Sequence, residues 1–207
     1  MTGITVDLNI YEDEEALVQA LHAGDKHACA CMIKHHAPQM YAVAMRIMGD
    51  PHEAEEVLQE AFISACRKAD TFQGRSKLST WLYRITTNAA LMRLRKRRDN
   101  TVSLDEPHLT DEGVEFPKQL GDWSVDPSQQ ALSAELREVM EEAVQQLPTS
   151  LRTTFILRDI QGLTTQETAD ALEISPGAVK VRLHRGRLKL RELLAGYLAG
   201  QSEEVAT

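Results

Sequence analysis

The stretch from Asp70 to Arg98 constrains this chain most, because it combines a long apolar stripe with a basic end. Apolar residues recur there at steps of three and four, which is the period of one face of an α-helix. They are Leu78, Leu82, Ile85, Ala89 and Met92, with Trp81 at the edge of the stripe. A second face at the same steps carries Arg84, Asn88, Leu91 and Arg95. The stretch predicts an amphipathic helix with a buried back and a polar front.

The predicted helix ends in a basic run made of Arg93, Arg95, Lys96, Arg97 and Arg98. Unpaired charges are costly to bury, so we expect this run in solvent or on a polyanion. The amide of Asn88 can donate and accept hydrogen bonds at a base edge, and arginines bind phosphates. The combination favours a nucleic-acid surface. The alternative is a solvated charged face, which also suits the last turn of a helix.

Composition predicts an all-α protein of one large or two small domains. The chain has 207 residues, 43% of them hydrophobic and 26% charged, and strand-like alternation is scarce. The net charge of −8 and the pI of about 5.4 argue against a protein that coats DNA indiscriminately. They permit local basic faces on an acidic body, which would bind DNA better when a partner positions them.

The cysteines and the N-terminus predict a cytoplasmic protein that is not inserted in a membrane. Cys29, Cys31 and Cys66 form an odd set without a disulfide framework, as expected in a reducing compartment. Residues 1–15 are acidic and lack the basic and apolar regions of a signal peptide. No apolar run approaches the ~20 residues that a membrane-spanning helix needs.

A cluster near residue 30 invites a metal-binding interpretation, and its members are His27, Cys29, Cys31, His35 and His36. Cys31 and His35 are four apart and could share a helix face. Cys29 and Cys31 are two apart and would point in nearly opposite directions, which disfavours a tetrahedral site. We therefore favour core packing, in which cysteine acts as a small apolar residue, and we predict no metal and no cofactor.

Composition shifts divide the chain into segments with the following predicted bounds: a loose lead-in over 1–13, a helical domain over 14–98, a flexible linker over 99–126, a second helical domain over 127–199 and a disordered tail over 200–207. Within the first domain, Asp25 and Asp50 are predicted N-caps, with Pro51 in the first turn. Pro38 is predicted to kink or interrupt its helix.

The helix that starts at Pro51 is predicted to have a buried stripe and an acidic face. The stripe consists of Ala54, Val57, Leu58, Ala61, Phe62 and Ala65, and the polar residues are Glu53, Glu55, Glu56, Gln59 and Glu60. Acidic residues near a helix N-terminus also favour solubility and the helix dipole. The residues alone therefore leave the purpose of this face open.

The second domain ends in a predicted helix-turn-helix. A helix that starts at Asp126–Pro127 has the apolar stripe Leu132, Leu136, Val139, Met140, Ala143 and Leu147, and Pro148 stops it. A helix over 151–160 follows, with Gly162 as its stop. Thr164 and Glu167 form a predicted capping box for a short helix, and Ser175 caps the last helix after a turn at Glu173.

The last helix is predicted to have one apolar face and one basic face. Its apolar positions are Val179, Leu183, Gly186, Leu190 and Leu194. The N-terminal part of the second helix of such a motif enters the major groove. We therefore predict base-edge contacts from Lys180, Arg182 and His184, and phosphate contacts from Arg185, Arg187 and Lys189. The alternative is a basic solvated helix, but here motif and charge coincide.

Four segments resemble the sigma-70 family, with the spacing of its extracytoplasmic-function (ECF) group. They are AEEVLQEAF (54–62), TFQG (71–74) and STWLYRITTN (79–88), which are similar to region 2, and LPTSLRTTFILRDIQGLTTQETADALEISPGAVKVRLHRGRLKLRE (147–192), which is similar to region 4. The chain departs from the family at Glu56, where Asp is frequent, and at Glu173, where Gly is frequent. A non-Gly residue with positive φ at Glu173 would be strained.

The resemblance implies that the helix from Pro51 docks on a coiled coil of the largest RNA polymerase subunit, and that the polymerase flap is a further partner. The implied polymerase-binding residues are Glu53, Glu56, Leu58, Gln59, Glu60 and Phe62. It also implies that the 70–77 loop and the next helix capture a flipped base of the promoter −10 element, with Phe72 or Trp81 as a stacking wall. The implied −10 DNA-binding residues are Phe72, Arg84, Asn88, Arg95, Arg97 and Arg98.

The resemblance further assigns −35 promoter recognition to the helix-turn-helix, through Ser175, Lys180, Arg182, His184, Arg185, Arg187 and Lys189. An anti-sigma factor is an expected partner, and it could hold the protein at the membrane. We identify no catalytic set of residues and predict no enzyme. Two alternatives are a stand-alone helix-turn-helix regulator with an N-terminal sensor or dimerisation domain, and a sigma mimic that sequesters an anti-sigma factor. The basic run before the linker argues against the first, and the presence of a competent promoter-reading face argues against the second.

Overall fold

The protein was analysed as a computed structural model, which describes residues 10–100 and 132–204. Side chains are described over 10–97, except Lys26, and over 136–195. Most of the lead-in, the linker from residue 101, the helix start at Asp126–Pro127 and the side chain of Arg98 lie outside the described residues. Within the described ranges the chain is helical and has no strand, which confirms the prediction of an all-α fold.

An N-terminal bundle is formed by four helices with a 3₁₀ turn at Ala69–Thr71. The helices are α1 (Glu14–His22), α2 (Lys26–Met48), α3 (Pro51–Arg67) and α4 (Leu78–Asn100). Asp25 and Asp50 cap α2 and α3 as predicted, because each carboxylate accepts a backbone N–H at 2.8 Å. The α2 helix runs through Pro38 without a break, so the predicted interruption is wrong.

Gly49 ends α2 in the left-handed conformation, with a φ of 73°. Its N–H donates to the carbonyl of Met45, which satisfies one of the last carbonyls of the helix. Glycine adopts this φ without steric cost, so the chain can reverse within two residues before Pro51 starts α3.

The predicted stripe of α4 is buried at its start and exposed at its end. Leu78 and Leu82 are fully buried in the N-terminal core, and Ile85 and Ala89 pack at its edge. Met92 is 68% exposed, so its predicted burial is wrong. The reason is that α4 turns a second stripe, containing Tyr83, Ala90 and Leu94, toward other helices. A single stripe read from the sequence could not reveal this change of face.

The cysteines differ from the prediction. Cys29 of α2 and Cys66 of α3 form a disulfide across a Cα–Cα distance of 5.8 Å, so the expectation of no disulfide is wrong. Spacing along the sequence does not show that these two helix faces meet. Cys31 is 1% exposed and packs in the core, as predicted. The disulfide ties together two helices that are 37 residues apart in sequence.

A C-terminal bundle follows, made of α5 (Leu132–Gln145), α6 (Thr149–Phe155), α7 (Thr165–Leu172) and α8 (Pro176–Glu204). A π-helical turn at Ile156–Ile160 extends α6, and Gly162 follows with a φ of 71°. Leu136 is 40% exposed, so the predicted α5 stripe is not fully buried. The α8 helix continues to Glu204, beyond residue 200 where a disordered tail was predicted.

The helix-turn-helix consists of α7, the turn at Glu173 and α8. The predicted capping box is present: Thr164 N–H donates to Glu167 at 2.8 Å, and Glu167 N–H donates to Thr164 at 3.1 Å. Glu173 adopts φ 56° and ψ 43°, a left-handed conformation that is unfavourable for a residue with a side chain. The backbone is therefore strained at Glu173, where the family frequently has glycine.

The two bundles pack on each other and share one core. From the N-terminal bundle it contains Val43, Ala44, Ile47, Met48, Ala54, Val57, Tyr83 and Ala90, and from the C-terminal bundle Ala143, Val144, Leu147, Ile156, Leu157, Leu163, Ala171 and Leu190. Burial of this many apolar side chains favours contact between the bundles. This shared core places α7 beside α4 and α5 beside α2.

Candidate polymerase-binding and promoter-binding surfaces

The acidic face of α3 surrounds one arginine of α4. The Arg93 guanidinium forms ion pairs with Glu53, at 3.8 Å, with Glu60, at 3.8 Å, and with Glu56. Arg97 reaches Glu53 at 3.7 Å. These ion pairs lie between α3 and α4, beside the carboxylates predicted to bind polymerase. They also neutralise part of the positive charge of the basic run, because Arg93 and Arg97 are paired with carboxylates of α3.

The remaining predicted polymerase-binding residues differ in exposure. Gln59 is exposed, Leu58 is half-buried, and Phe62 is 8% exposed, so it supports the surface from below. Ile63 is 53% exposed and lies one helical turn beyond Gln59. Sequence reasoning missed Ile63, although its place outside the α3 stripe was a signal. The surface combines an amide, an exposed apolar side chain and carboxylates, which suits docking on another helix.

The polar front of α4 faces α7. Thr80 donates a hydrogen bond to Glu167 at 3.3 Å, and Arg84 lies 3.9 Å from Glu173. Asn88, one turn after Arg84, is half-buried. The hydrogen bonds of the capping box, first that with the Thr164 N–H, lower the pKa of Glu167. Part of the face predicted to read the −10 element is thus occupied by the C-terminal bundle.

Phe72 and Trp81 form one aromatic pair below the 70–77 loop. Their ring centroids are 5.2 Å apart with an angle of 45° between the planes. Phe72 is 5% exposed and belongs to the N-terminal core, whereas Trp81 is half-buried. Of the two predicted stacking walls, Trp81 is therefore the more accessible. Gly74 gives the loop its turn, with a φ of 65°.

The end of α4 is more exposed than its centre. Arg95 is exposed, and Arg97 is exposed beyond its contact with Glu53. The side chain of Arg98 is outside the described residues. Among the described members of the predicted −10 set, Arg95 is an exposed cation, whereas the Arg84 guanidinium has a carboxylate beside it.

The N-terminal part of α8 is open to solvent. Ser175 caps the helix by accepting the Ala178 N–H at 3.1 Å, so its hydroxyl already has a structural partner. Lys180 is exposed, and Arg182 and His184 are half-buried along the same helix. Val179 and Leu183 anchor the opposite face in the core. A helix held from behind, with cations in front, has the geometry of a major-groove reader.

The predicted phosphate contacts on α8 divide into one exposed cation and two that are paired. Arg185 is exposed. Arg187 donates to Asp159 at 2.8 and 2.6 Å, and these hydrogen bonds raise the pKa of the Arg187 guanidinium. Lys189 lies 3.1 Å from Glu192. The exposed Arg185 is therefore the best placed of the three to meet a phosphate.

Sequence reasoning missed a polar contact between the bundles. Arg46 of α2 donates two hydrogen bonds from Nε and Nη2 to Glu141 Oε1 at 2.9 and 2.6 Å, and a third, from Nε to Oε2, at 3.1 Å. Gln145 donates to the Arg46 carbonyl at 2.8 Å and accepts from Arg152 at 2.7 Å. No periodicity in the sequence indicates this contact, because Arg46 is 95 residues from Glu141 and 99 residues from Gln145.

The described residues offer surfaces for macromolecules. Among them, no group of three or more His, Cys, Asp and Glu side chains is placed to hold a metal ion. Within the described ranges, none of the helices is both long and apolar enough to cross a membrane. The two basic faces lie on α4 and on α8, and an acidic face lies on α3.

Comparison with known proteins matches both bundles to one family. Residues 32–100 match Sigma-70 region 2, and residues 137–190 match Sigma-70 region 4. The ECF RNA polymerase sigma factor SigW of Bacillus subtilis is 36% identical over 86% of this chain and 94% of its own length. The ECF RNA polymerase sigma-E factor of Escherichia coli is 31% identical over 84% of this chain and 90% of its own length.

Solved structures share the fold. CnrH, solved in complex with the cytosolic domain of CnrY, superposes with a TM-score of 0.61 at 23% identity, over 88% of this chain and 97% of its own. The sigma factor RpoE of Bartonella quintana, solved with the anti-sigma factor NepR, has a TM-score of 0.58 at 24% identity, over 79% of this chain and 94% of its own. Both bundles, their order and the curated relatives agree: this chain belongs to the ECF group of the sigma-70 family.

Proposed function

We propose that this protein binds core RNA polymerase and directs promoter-specific transcription initiation, using α4 for the −10 element and α8 for the −35 element. One observation carries the proposal: a single chain presents an acidic docking helix, a basic polar helix and a helix-turn-helix, in the order of sigma regions 2 and 4. Its relatives are named RNA polymerase sigma factors. The proposed role is recognition, without a catalytic step of its own.

The proposed polymerase contact uses the exposed part of α3. Glu53, Glu56 and Glu60 carry the charge, and the Arg93 guanidinium between them fixes their positions. Gln59 adds hydrogen-bonding capacity, while Leu58 and Phe62 shape the surface. A preorganised acidic face suits a basic or amide-rich partner helix, since side chains that are already ordered lose less entropy on binding.

The proposed promoter contacts use two different kinds of recognition. Lys180, Arg182 and His184 would contact base edges of the −35 duplex, while Arg185 would contact a phosphate. Asn88 would bind an unpaired base of the −10 element, with Arg84, Arg95, Arg97 and Arg98 toward its backbone. Strand opening is thereby linked to the N-terminal bundle, whereas duplex recognition belongs to the C-terminal bundle.

We also propose an anti-sigma factor as a partner. Two proteins of the same fold were solved in complexes: RpoE of Bartonella quintana with the anti-sigma factor NepR, and CnrH with the cytosolic domain of CnrY. An anti-sigma factor that covers the α3 surface would prevent polymerase binding, and one with a membrane anchor would hold this protein at the membrane. Isolation of a stable complex from the native host, with loss of run-off transcription on addition of that partner, tests this proposal.

Run-off transcription tests the main proposal. Core RNA polymerase from a bacterium is assayed with and without the protein on DNA from upstream of its own gene. We expect defined initiation only with the protein, and loss of initiation in Asn88→Ala and in Glu56→Lys with Gln59→Ala. The two variants separate the surfaces, because the first should still bind polymerase and the second should not.

Matched controls use exposed residues away from the proposed surfaces. Gln19→Ala removes an exposed amide from α1, and Glu138→Lys reverses an exposed charge on α5, so both should initiate like the wild type. Tight, specific duplex binding without any polymerase binding would refute the proposal. That result would support a stand-alone helix-turn-helix regulator.

A further inference from the structure

The segment 73–77, within the loop that we propose to capture an unpaired base, is held at both of its ends by α1. His22 Nε2 donates a hydrogen bond to the carbonyl oxygen of Phe72 at 2.6 Å, and a carbonyl oxygen can only accept, so Nε2 carries the proton. Glu14 Oε1 accepts the backbone N–H of Leu78 at 2.8 Å. Two side chains of one helix therefore fix the two points between which this segment runs.

The Glu14 contact supplies a cap that the start of α4 lacks. The first N–H groups of a helix have no partner within the helix, and a side-chain oxygen just before the helix usually accepts one of them. The residue before Leu78 is Lys77, whose side chain can only donate hydrogen bonds. Glu14 therefore caps α4 from another helix, and its negative charge suits the positive end of the helix dipole.

The helix that makes these contacts is itself fixed in the N-terminal core. Leu17 and Leu21 are each 7% exposed, and they belong to the same buried cluster as the two residues that flank the segment. At a rise of 1.5 Å per residue, Glu14 and His22 lie about 12 Å apart along the helix axis, on either flank of this apolar face. Because α1 is packed in the core, it can hold both ends of the segment at a fixed separation.

The segment between the two held points offers polar groups to solvent. Gln73, Arg75 and Lys77 are exposed. Trp81, the more accessible of the two predicted stacking walls, has its ring centroid 5.2 Å from that of Phe72. An amide can hydrogen-bond to a base edge, cations bind the backbone, and an aromatic ring stacks on the base.

From these contacts we propose that Glu14 and His22 are positioning residues for −10 recognition, which hold segment 73–77 in the form that receives the unpaired base. The inference rests on the proposed sigma function and deepens it, because α1 lies outside residues 32–100 that match Sigma-70 region 2. A loop that is ordered beforehand loses less entropy on binding and keeps its contact groups at fixed distances. Loss of either hydrogen bond should weaken binding of the −10 strand and reduce discrimination between bases.

Binding of a single-stranded oligonucleotide tests this proposal. The probe is a fluorescein-labelled non-template strand from upstream of the start site that run-off transcription with the wild type defines. Core polymerase with the full chain is titrated onto it. His22→Ala and Glu14→Ala should each weaken binding by about fivefold, as expected for loss of one hydrogen bond. Replacement of each base of the probe in turn should cost these variants less affinity than it costs the wild type.

Conservative variants separate positioning from a merely structural role. His22→Gln keeps an N–H donor and Glu14→Gln keeps the oxygen acceptor, so both should bind the probe within about twofold of the wild type. Glu15→Ala removes a carboxylate from the same turn of α1, and Gln19→Ala removes an exposed amide, so neither should change binding. All these variants should bind core polymerase and a duplex with the −35 element like the wild type.

Tryptophan fluorescence reports on the loop without DNA. The chain has two tryptophans, so Trp123→Phe leaves Trp81 alone to be measured. Because the ring of Phe72 packs beside Trp81, release of the Phe72 carbonyl in His22→Ala should increase quenching of Trp81 by acrylamide. His22→Gln should return the quenching to the value of the protein with His22.

The outcomes that overturn the inference differ from the one that overturns the proposed function. The inference is wrong if the alanine variants bind the probe like the wild type while Asn88→Ala does not, or if Trp81 quenching is unchanged in His22→Ala. It is also wrong if the alanine variants lose polymerase and −35 binding as well, because the contacts would then serve only the fold. Absence of initiation and of probe binding by the wild type would refute the sigma function itself.

Discussion

The two faces that we propose to read the promoter contrast in what surrounds them. On α8, Lys180 and Arg185 are exposed, and the helix is supported from behind by Val179 and Leu183. On α4, Arg84 has a carboxylate beside it and Asn88 is half-buried. Both faces carry arginines at helical spacing. The difference arises from the partner helix, since α7 packs against α4 whereas the front of α8 lies toward solvent.

The contrast shows that two faces of similar charge and periodicity can differ in what packs against them. A helix that reads a duplex, as proposed for α8, works as a rigid element and needs no rearrangement. A reader of unpaired bases, as proposed for α4, needs an accessible pocket, and Thr80 and Arg84 on that helix have carboxylates of the C-terminal bundle beside them. The following predictions test this contrast and the contacts that stabilise each bundle, in order of decreasing expected effect.

The largest effect is expected on stability, from the Cys29–Cys66 disulfide. It closes a loop with a sequence separation of 37 residues in the N-terminal bundle. Reduction should lower the free energy of unfolding of that bundle by about 3 to 4 kcal/mol, through greater freedom of the unfolded chain. Urea unfolding with and without a dithiol reductant measures this change.

The control is the double variant Cys29→Ser with Cys66→Ser, whose unfolding should not respond to the reductant. The C-terminal bundle contains no cysteine, so any separate transition that it shows should be unchanged. Equal stability of the oxidised and reduced wild type would contradict the prediction.

The second effect concerns DNA binding by the free protein. Because the α8 face is already open, Lys180→Ala should weaken binding to a duplex with the −35 element by about tenfold, or ~1.4 kcal/mol, whereas Asn88→Ala should leave it unchanged. Fluorescence anisotropy at one fixed salt concentration measures both. Similar losses of affinity in the two variants would show that both faces contact the duplex, which would contradict the contrast between them.

The third effect concerns the turn of the helix-turn-helix. Glu173→Gly should stabilise the C-terminal bundle by about 1 kcal/mol, because glycine adopts the left-handed conformation without steric cost. It should also remove the carboxylate beside Arg84 and thereby weaken the contact between the bundles. Thermal unfolding measures the first change, and X-ray scattering the second.

Glu173→Gln is the matched variant, because it removes the charge and keeps a side chain at the strained position. It should weaken the contact between the bundles without stabilising the turn. If glycine and glutamine gave the same stability, the left-handed conformation of Glu173 would not lower the stability of the C-terminal bundle.

The smallest effect is a dependence of stability on pH through Glu167. Hydrogen bonds hold its folded-state pKa below the ordinary value of 4.5, so its contribution is complete above about pH 4.5 and is lost as the pH falls through the lowered pKa. The melting temperature of the wild type should therefore fall more steeply on acidification than that of Glu167→Gln. Thr164→Ala should reduce the same dependence without removing an ionisable group, and a persistent dependence in Glu167→Gln would contradict this assignment.

Local sequence signals predicted the helices and their ends well. The caps at Asp25 and Asp50 and the box of Thr164 with Glu167 depend on neighbours within three residues, so their geometry follows from the chain itself. The two sigma bundles also followed from motifs whose residues are close in sequence. Confirmation of the family fold therefore rests on short-range information.

Long-range partners could not be predicted in the same way. Met92 leaves its stripe because α4 has a second apolar face toward the other bundle. The basic run was expected in solvent or on DNA, yet Arg93 lies among carboxylates of α3. The Cys29–Cys66 disulfide and the pairing of Arg46 with Glu141 likewise depend on which helix faces meet, and spacing in one segment contains no information about that.

Gly49 lies at the contact between the two bundles, where a single added side chain would meet Gln145. A Cβ at this position would lie 2.7 Å from Oε1 of Gln145, which also accepts from Arg152. A side chain at Gly49 would thus force the end of the Gln145 side chain to move, which would disturb its hydrogen bonds with Arg46 and Arg152, and would strain the left-handed φ of Gly49. The polar contact between two bundles that are distant in sequence therefore depends on the absence of one methyl group at the end of α2.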